Sequence, residues 1–281
     1  MKDAARSEPV HINIHSENAT FQILHALKHN RNKRHKQNTF LVEGVRLINE
    51  LIKSDWHIKA LLYAQDKPLS NWAQGILERS NAETHYLLAP ALLEKLSGKH
   101  QASELLCLVE MKKLGFQDLI PRSDAPPLIL LLDRISNPGN LGTMIRSCDA
   151  LGATGIILSG HAADLFDPKT LAATAGSFFA VPALQLPSHK EILPFFEQLR
   201  ERYGELQVVG SSAHTHSTLY ELDYRKPTVF LIGNEEKGLS HAYQSLATKT
   251  VTIPMSAKAA TSLNAAVAAS IMLSEAKRQR D

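Results

Sequence analysis

The fold class is decided by residues 128–146, which read LILLLDRISNPGNLGTMIR. The first five residues are apolar, and a continuous apolar run is typical of a strand covered on both faces of a sheet. Asp133 ends this run, a loop rich in Asn and Gly follows, and helical periodicity begins over Asn140–Leu151. The stretch therefore predicts a strand, a loop and a helix, which is the repeating unit of a parallel α/β sheet.

Similar units extend to both sides of this stretch. Downstream, the pattern predicts strands at Gly155–Leu158, Gln207–Gly210, Thr228–Ile232 and Val251–Ile253, and helices at Glu191–Tyr203 and Ser262–Lys277. Upstream, it predicts helices at Asn18–Lys28, Val45–Lys53, Trp72–Arg79 and Ala91–Leu96, and strands at Phe40–Glu43, Ile58–Tyr63, His85–Leu88 and Leu105–Val109. We therefore expect an α/β fold along the whole chain.

A chain of 281 residues is long enough for two domains. The best boundary lies in residues 111–127, MKKLGFQDLIPRSDAPP, which mix charges, a glycine and prolines. We expect a flexible N-terminus over 1–15, a first α/β domain over 16–112, a linker over 113–127 and a second domain over 128–281. The alternative is a surface loop inside one large domain.

Composition excludes several classes of protein. The 44% hydrophobic residues suffice for buried cores, and the net charge of +3 is only mildly basic. Cys107 and Cys148 have no metal-like spacing, so we expect neither a disulfide framework nor a metal site. The N-terminus lacks the apolar core of a signal peptide, and the run LILLL is too short to span a membrane. These features predict a soluble, cytoplasmic protein.

Three predicted strands are followed by polar or glycine-rich residues, at the edge where α/β sheets bind ligands. Asn140 and Arg146 follow the first strand. Glu235 lies in LIGNEEKGL, residues 231–239, and Ser262 and Asn264 lie in VTIPMSAKAATSLNAAVA, residues 251–268. Each cluster alone also has a purely structural explanation. Asn140 or Ser262 could cap a helix, and Glu-Glu-Lys-Gly is typical of a solvated turn.

Together the clusters resemble a known family. The stretches NPGNLGTMIRS…LGATGIIL, FLIGNEEKGLS and TIPMSAKAATSLNAAVAAS look like the three motifs of the SpoU (TrmH) family of SPOUT RNA 2′-O-ribose methyltransferases, and the likeness covers about residues 128–277. Residues 28–50, KHNRNKRHKQNTFLVEGVRLINE, resemble more loosely the small substrate-binding domain of members that act on ribosomal RNA. The resemblance implies a catalytic domain with a deep trefoil knot and a homodimer whose site lies near the subunit interface.

The resemblance also implies S-adenosylmethionine as cofactor and a ribose 2′-hydroxyl of structured RNA, with ribosomal RNA favoured, as acceptor. By motif position, the catalytic residues are Asn140, Arg146, Glu235, Ser262 and Asn264. The residues expected at the cofactor are Gly210, Ser211, Ser212, Gly233, Asn234, Ile253, Ser262 and Leu263. Arg146 has two open roles, general base or phosphate clamp, because a guanidinium is rarely deprotonated.

A basic segment near the N-terminus is the candidate RNA-binding surface. No acidic residue occurs from Asn18 to Val42. The basic side chains expected to contact RNA phosphates are Lys28, Arg31, Lys33, Arg34 and Lys36. The alternative for such a charge run is an ordinary solvated surface.

Other functions stay open from the sequence alone. One alternative is a methyltransferase that acts on the ribose of transfer RNA, and a second is a methyltransferase that acts on a base. A third is a non-catalytic ribosome- or RNA-binding protein of the same fold. A dinucleotide-dependent dehydrogenase is disfavoured, because no GxGxxG opens a helix after the first strand.

Overall fold

The computed structural model describes residues 8–98, 101–212, 215–256 and 262–281. The chain divides into two compact units. Unit 1 consists of Met1–Lys113 together with Phe166–Phe179, and unit 2 consists of Leu114–Leu165 together with Ala180–Asp281. Both units alternate strands and helices, which confirms the predicted α/β fold class.

Unit 1 has a five-stranded sheet in the order β1-β4-β3-β5-β2. Its strands are β1 (Val10–Ile14), β2 (Thr39–Glu43), β3 (Ile58–Ala64), β4 (Thr84–Leu88) and β5 (Leu105–Glu110). Its helices are α1 (Ala19–His29), α2 (Arg31–Gln37), α3 (Val45–Lys53), α4 (Asn71–Arg79), α5 (Pro90–Leu96) and α7 (Pro168–Thr174). Strands β1, β3 and β4 run parallel, whereas β5 pairs antiparallel with both β2 and β3.

The first strand corrects the prediction of a flexible N-terminus over residues 1–15. Val10–Ile14 pairs in parallel with β4, and Ile14 is fully buried. The other side chains of this strand are exposed. The prediction overlooked the strand-like alternation of Val10, Ile12 and Ile14 with polar residues, because the stretch around it is polar. The prediction is wrong for residues 10–14, and residues 1–7 lie outside the described part of the chain.

A segment from the second half of the sequence belongs to unit 1. Phe166 and Phe178 pack with Phe40 of β2, with ring centroids 4.8 and 5.8 Å away, and Trp56 lies 5.6 Å from Phe178. Burying several aromatic rings together stabilises a core strongly. The second domain is therefore not one continuous stretch over 128–281, because residues 166–179 complete the aromatic core of unit 1.

Unit 2 has a six-stranded, fully parallel sheet in the order β11-β9-β10-β6-β7-β8. Its strands are β6 (Leu128–Asp133), β7 (Gly155–Ser159), β8 (Ala183–Leu186), β9 (Gln207–Ser211), β10 (Thr228–Ile232) and β11 (Lys249–Val251). Its helices are α6 (Pro138–Ala150), α8 (Leu193–Tyr203), α9 (His241–Leu246) and α10 (Ala265–Arg280). Every residue of β6, β7 and β10 is buried, as expected for central strands of such a sheet.

The predicted linker over 113–127 is partly built into unit 2. Residues Phe116–Leu119 form a 3-10 turn, and the side chain of Leu119 is fully buried in the core of unit 2. Gly155 at the start of β7 makes room for it, since a Cβ atom there would lie 2.4 Å from Leu119 Cδ2. This segment is therefore not a free spacer over its whole length.

None of the described helices is long and apolar enough to cross a membrane. The trefoil knot stays a prediction.

Candidate active site

The three polar loops of unit 2 meet through a chain of amide hydrogen bonds. Asn264 donates from Nδ2 to Oδ1 of Asn140 at 3.2 Å, and Asn140 donates from Nδ2 to Oε1 of Glu235 at 2.9 Å. Asn140 lies in the first turn of α6, Glu235 follows β10, and Asn264 precedes α10. The structure thus brings together three of the predicted catalytic residues at the carboxyl ends of the strands, where α/β sheets bind ligands.

The direction of this chain is set by a helix cap. Asn264 is the N-cap of α10, and its Oδ1 accepts from the backbone N–H groups of Ala266 and Val267 at 2.8 and 3.4 Å. An amide whose oxygen caps a helix has only its nitrogen left to donate. Asn140 must then accept with its oxygen and donate with its nitrogen, which leaves the carboxylate of Glu235 as the final acceptor. The alternative of Ser262 as the cap is wrong.

A cavity of about 140 Å³ lies at the ends of β9 and β11. It is lined by Ser211, Ser212, Thr252, Ile253, Met255, Ser262, Leu263 and Ala268. Five of these residues, Ser211, Ser212, Ile253, Ser262 and Leu263, are among those predicted at the cofactor. Among the residues that the structure describes, the lining combines four hydroxyl groups with apolar side chains and has no charged member. It therefore suits a ligand with an apolar ring and several polar groups.

Three residues predicted at the cofactor do not line this cavity. Gly210 lies at the end of β9 beneath Leu239, whose Cδ1 would be 3.2 Å from a Cβ atom at Gly210. A Cβ atom at Gly233 would lie 2.2 Å from backbone atoms of Gly238 and Leu239, so this glycine serves a close turn of the chain. Asn234 lies in that turn, and its side-chain Nδ2 donates to the carbonyl of Arg134 at 3.0 Å. Thr252, Met255 and Ala268 also line the cavity but were not predicted from the sequence.

The structure separates Arg146 from the amide chain. It lies six residues after Asn140 on α6, which is roughly 600° of helix rotation and leaves the two side chains about 120° apart. Its side chain is exposed, and no hydrogen bond or ion pair joins it to another residue that the structure describes. Within one copy of unit 2, Arg146 therefore faces solvent.

Two more charged residues hold the loop that carries Glu235. The carboxylate of Asp133, at the end of β6, is 2% exposed and accepts the backbone N–H of Ser240 at 2.6 Å. Arg134 donates to Asp133 from Nε and Nη2 at 2.9 and 3.1 Å, and its hydrogen bonds to this carboxylate raise the pKa of the guanidinium. Neither residue was predicted from the sequence to have a role at this site.

The basic side chains of the basic segment lie on two helices of unit 1, Lys28 on α1 and the others on α2, and they differ in exposure. Lys33 and Lys36 are exposed, and Arg31 is half-buried. Lys28 donates from Nζ to the carbonyl of Ser97 at 2.5 Å, at the end of α5. The prediction for Arg34 is wrong: this side chain is 2% exposed, so phosphates cannot reach it.

Arg34 instead serves the interior of unit 1. It donates from Nη1 to the carbonyl of Leu27 at 2.8 Å, at the end of α1, and pairs with Asp167 at 3.5 Å. A buried guanidinium needs such partners, because burying an unpaired charge is costly. This cation therefore joins α1 and α2 to the segment Phe166–Phe179.

Comparisons with known proteins agree with this arrangement. Residues 127–274 match the family described as the SpoU rRNA methylase family, and residues 18–107 match the SpoU L30e-like domain. A 23S rRNA (uridine(2479)-2′-O)-methyltransferase from Streptomyces viridochromogenes is 43% identical over 95% of this chain and 92% of its own length.

Two solved structures share the fold. The crystal structure of the SpoU methyltransferase AviRb from Streptomyces viridochromogenes in complex with the cofactor AdoMet has a TM-score of 0.88 and 42% identity, and covers 94% of this chain and 98% of that one. An AdoMet-bound rRNA methyltransferase from Sinorhizobium meliloti has a TM-score of 0.83 and 28% identity, with 95% and 98% covered. The family match spans more than half of the chain, and the three motif loops converge on one site. The chain belongs to the SpoU rRNA methylase family.

Proposed function

We propose that this protein transfers the methyl group of S-adenosylmethionine to a ribose 2′-hydroxyl of ribosomal RNA. The observation that carries the proposal is the directed amide chain from Asn264 through Asn140 to Glu235 in the unit that contains the cavity at β9 and β11. Its similar relatives include a 23S rRNA 2′-O-methyltransferase and two proteins crystallised with AdoMet.

The cavity lining fits this cofactor. Apolar side chains such as Ile253 and Leu263 suit an adenine ring, and the hydroxyls of Ser211, Ser212 and Ser262 suit ribose and amino acid groups. The residues predicted at the cofactor but absent from the lining, Gly210, Gly233 and Asn234, act in this scheme by shaping the turn that carries Glu235. When bound, the cofactor supplies an activated methyl group on a sulfonium.

The protein's part of the reaction is alignment and activation of the 2′-oxygen. Asn140 and Glu235 are held by Asn264 in one orientation, so they present fixed hydrogen-bonding groups to a ribose. Arg146 acts at the ribose 2′-hydroxyl that accepts the methyl group, either as the general base or by binding the adjacent phosphate. The clamp is chemically easier, because a guanidinium in a protein is rarely deprotonated.

We further propose that the protein works as a homodimer. Ser147 of α6 and Ser270 of α10 contact each other through their hydroxyls at 2.8 Å, and beside them lies an open groove of about 490 Å³. Val267 and Tyr220 in this groove are 47% and 58% exposed. A second copy would cover these apolar side chains, and it would place an Arg146 near a site that lacks one in the single chain.

Unit 1 is assigned to RNA selection and unit 2 to chemistry. Lys33 and Lys36 on α2 are the exposed cations of the basic segment that we expect at RNA phosphates. The two cysteines are free and fully buried, and burial raises the pKa of both thiols, which fits the reducing cytoplasm where ribosomal RNA is modified.

The decisive experiment measures methyl transfer directly. Purified protein is incubated with methyl-labelled S-adenosylmethionine and unmodified 23S rRNA, 16S rRNA or transfer RNA transcripts, and the modified nucleotide is mapped by blocked reverse transcription. We expect label on the 2′-oxygen of one ribosomal nucleotide, and its loss with Arg146→Ala. Label only on transfer RNA would favour the transfer RNA alternative, and RNA binding without transfer would favour the non-catalytic one.

A further inference from the structure

The loop that carries Glu235 is a compact, prefolded piece. Asn234 and Gly238 exchange two backbone hydrogen bonds at 3.1 and 2.9 Å, and Asn234 Oδ1 accepts the N–H groups of Glu236 and Lys237 at 3.1 Å each. The lack of space for a Cβ atom at Gly233 closes the base of the loop. Such a loop moves as one body, so whatever anchors it also sets the position of Glu235.

The anchor comes from the end of β6. The buried carboxylate of Asp133 accepts the N–H of Ser240, at the far end of the loop, and holds Arg134 through both oxygens. Arg134 Nη2 also donates to the carbonyl of Gly238 at 3.1 Å. A buried carboxylate with all of these partners is fixed in place, because losing any of them would leave a charge or a polar group unpaired.

The backbone of Arg134 contributes a further contact. Its φ of +59° is in the left-handed region, which residues other than glycine seldom adopt. In this conformation the carbonyl of Arg134 accepts from Asn234 Nδ2 at 3.0 Å while its guanidinium reaches Gly238. An uncommon backbone conformation persists where the surroundings determine it, and such positions cluster at functional sites.

We propose that Asp133 and Arg134 are positioning residues that fix the 234–240 loop so that Glu235 meets Asn140. The proposal rests on the proposed function, since the role of Glu235 is part of it. The loop contributes no lining residue to the cavity at β9 and β11. Loosening the anchor should therefore disturb the geometry of the reacting groups and leave cofactor binding intact.

The test is Arg134→Gln, which leaves a shorter, neutral polar side chain and removes the charge and the paired contact. We expect kcat to fall about 100-fold, the scale of a displacement of roughly 1 Å at a reacting group. The Kd for S-adenosylmethionine and the KM for the RNA should stay near wild type. Amide hydrogens of Gly238 and Ser240 should exchange faster, and Arg134→Lys, which keeps the charge, should restore part of the rate.

A matched control is available in the same unit. Arg225 holds Asp223 with two similar contacts at 2.8 and 3.2 Å but is 71% exposed and lies outside the site, so Arg225→Gln should leave kcat unchanged. Wild-type kcat in Arg134→Gln would overturn the proposal, and so would a loss of kcat matched by equal weakening of cofactor binding. If the wild-type protein transfers no methyl group, the proposed function fails, and hydrogen exchange alone still decides whether the anchor exists.

Discussion

Asn264 combines two tasks in one amide, and they can be separated by mutation. Its oxygen caps α10, and its nitrogen donates to Asn140. Asp caps a helix about as well as Asn, but an ionised carboxylate cannot donate a hydrogen bond. We expect Asn264→Asp to keep the stability of the protein and to lose most of the methyl transfer.

The matched variant is Asn264→Ala, which loses the cap as well. It should lower the free energy of unfolding by about 1 kcal/mol and lose activity to a similar degree. Urea unfolding and initial rates measure the two effects. Full activity in Asn264→Asp would mean that the amide chain has no role in the reaction.

His85 makes unit 1 sensitive to acid. It is 6% exposed, and its Nδ1 lies 3.2 Å from the hydroxyl of Tyr63; burial, followed by the nearby His11, lowers its pKa. The unfolded chain then binds a proton at the ordinary pKa of about 6.5, before the folded protein does. The stability due to neutral His85 is present above this pH and declines as pH falls through it towards the folded pKa.

Thermal unfolding between pH 8 and 5 measures this effect. We expect the midpoint temperature of unfolding of the wild type to decrease as the pH falls below about 6.5. The midpoint temperature of His85→Gln should decrease less over the same range. His15 is exposed in the same unit, so His15→Gln should follow the wild-type profile. Equal slopes for wild type and His85→Gln would contradict the prediction.

Single residues were predictable where a local motif decides their place. Asn140, Glu235 and Asn264 were expected from their positions in the three motifs of the family that the sequence resembles, and their side chains form one hydrogen-bonded chain. Arg34 was misassigned, because its burial depends on Asp167, a residue far away in the sequence. Helix geometry alone predicts that Arg146 and Asn140 point in different directions from their helix.

At the scale of elements, α10 has an apolar side chain that the single chain leaves open. Val267 is 47% exposed on this helix. Val267→Asp would place a charge in the proposed dimer contact, where burying it is costly. We expect this variant to be monomeric in light scattering, with reduced methyl transfer.

The control for this variant is Leu193→Asp. Leu193 is 42% exposed at the start of α8, outside the groove, so its replacement should leave the oligomeric state unchanged. A dimer that survives Val267→Asp, or a wild-type protein that is monomeric at all concentrations, would contradict the proposed interface.

Most elements were predicted because their apolar residues recur with a regular period. Val45–Lys53 was predicted with its observed bounds, since Leu47, Ile48 and Leu51 form one buried face. Helix α2 was missed, because RNKRHKQ has no apolar residue and is held by capping from Asn30 and by Arg34. The predicted strand Val251–Ile253 is observed as Lys249–Val251, because pairing with β9 rather than hydrophobicity sets its bounds.

At the scale of the whole molecule, the proposed division of labour predicts independent binding steps. Replacing both Lys33 and Lys36 by Ala should weaken RNA binding and reduce the slope of log affinity against log salt by about 1.5, since each phosphate contact contributes roughly 0.7–0.9. Cofactor affinity should not change, because both lysines belong to unit 1. Filter binding measures the RNA affinity and its salt dependence, and calorimetry measures the cofactor affinity. An equal loss of cofactor affinity would contradict the division.

The passage of residues 166–179 through unit 1 has a consequence for how the protein is made. During translation the N-terminal sheet leaves the ribosome first, but Phe40 and Trp56 find Phe166 and Phe178 only after much of the remaining chain has followed. Until then these rings lack the partners that complete their core, and transiently exposed apolar surface favours misassembly. We therefore expect the nascent N-terminal half to misassemble more readily than the completed chain.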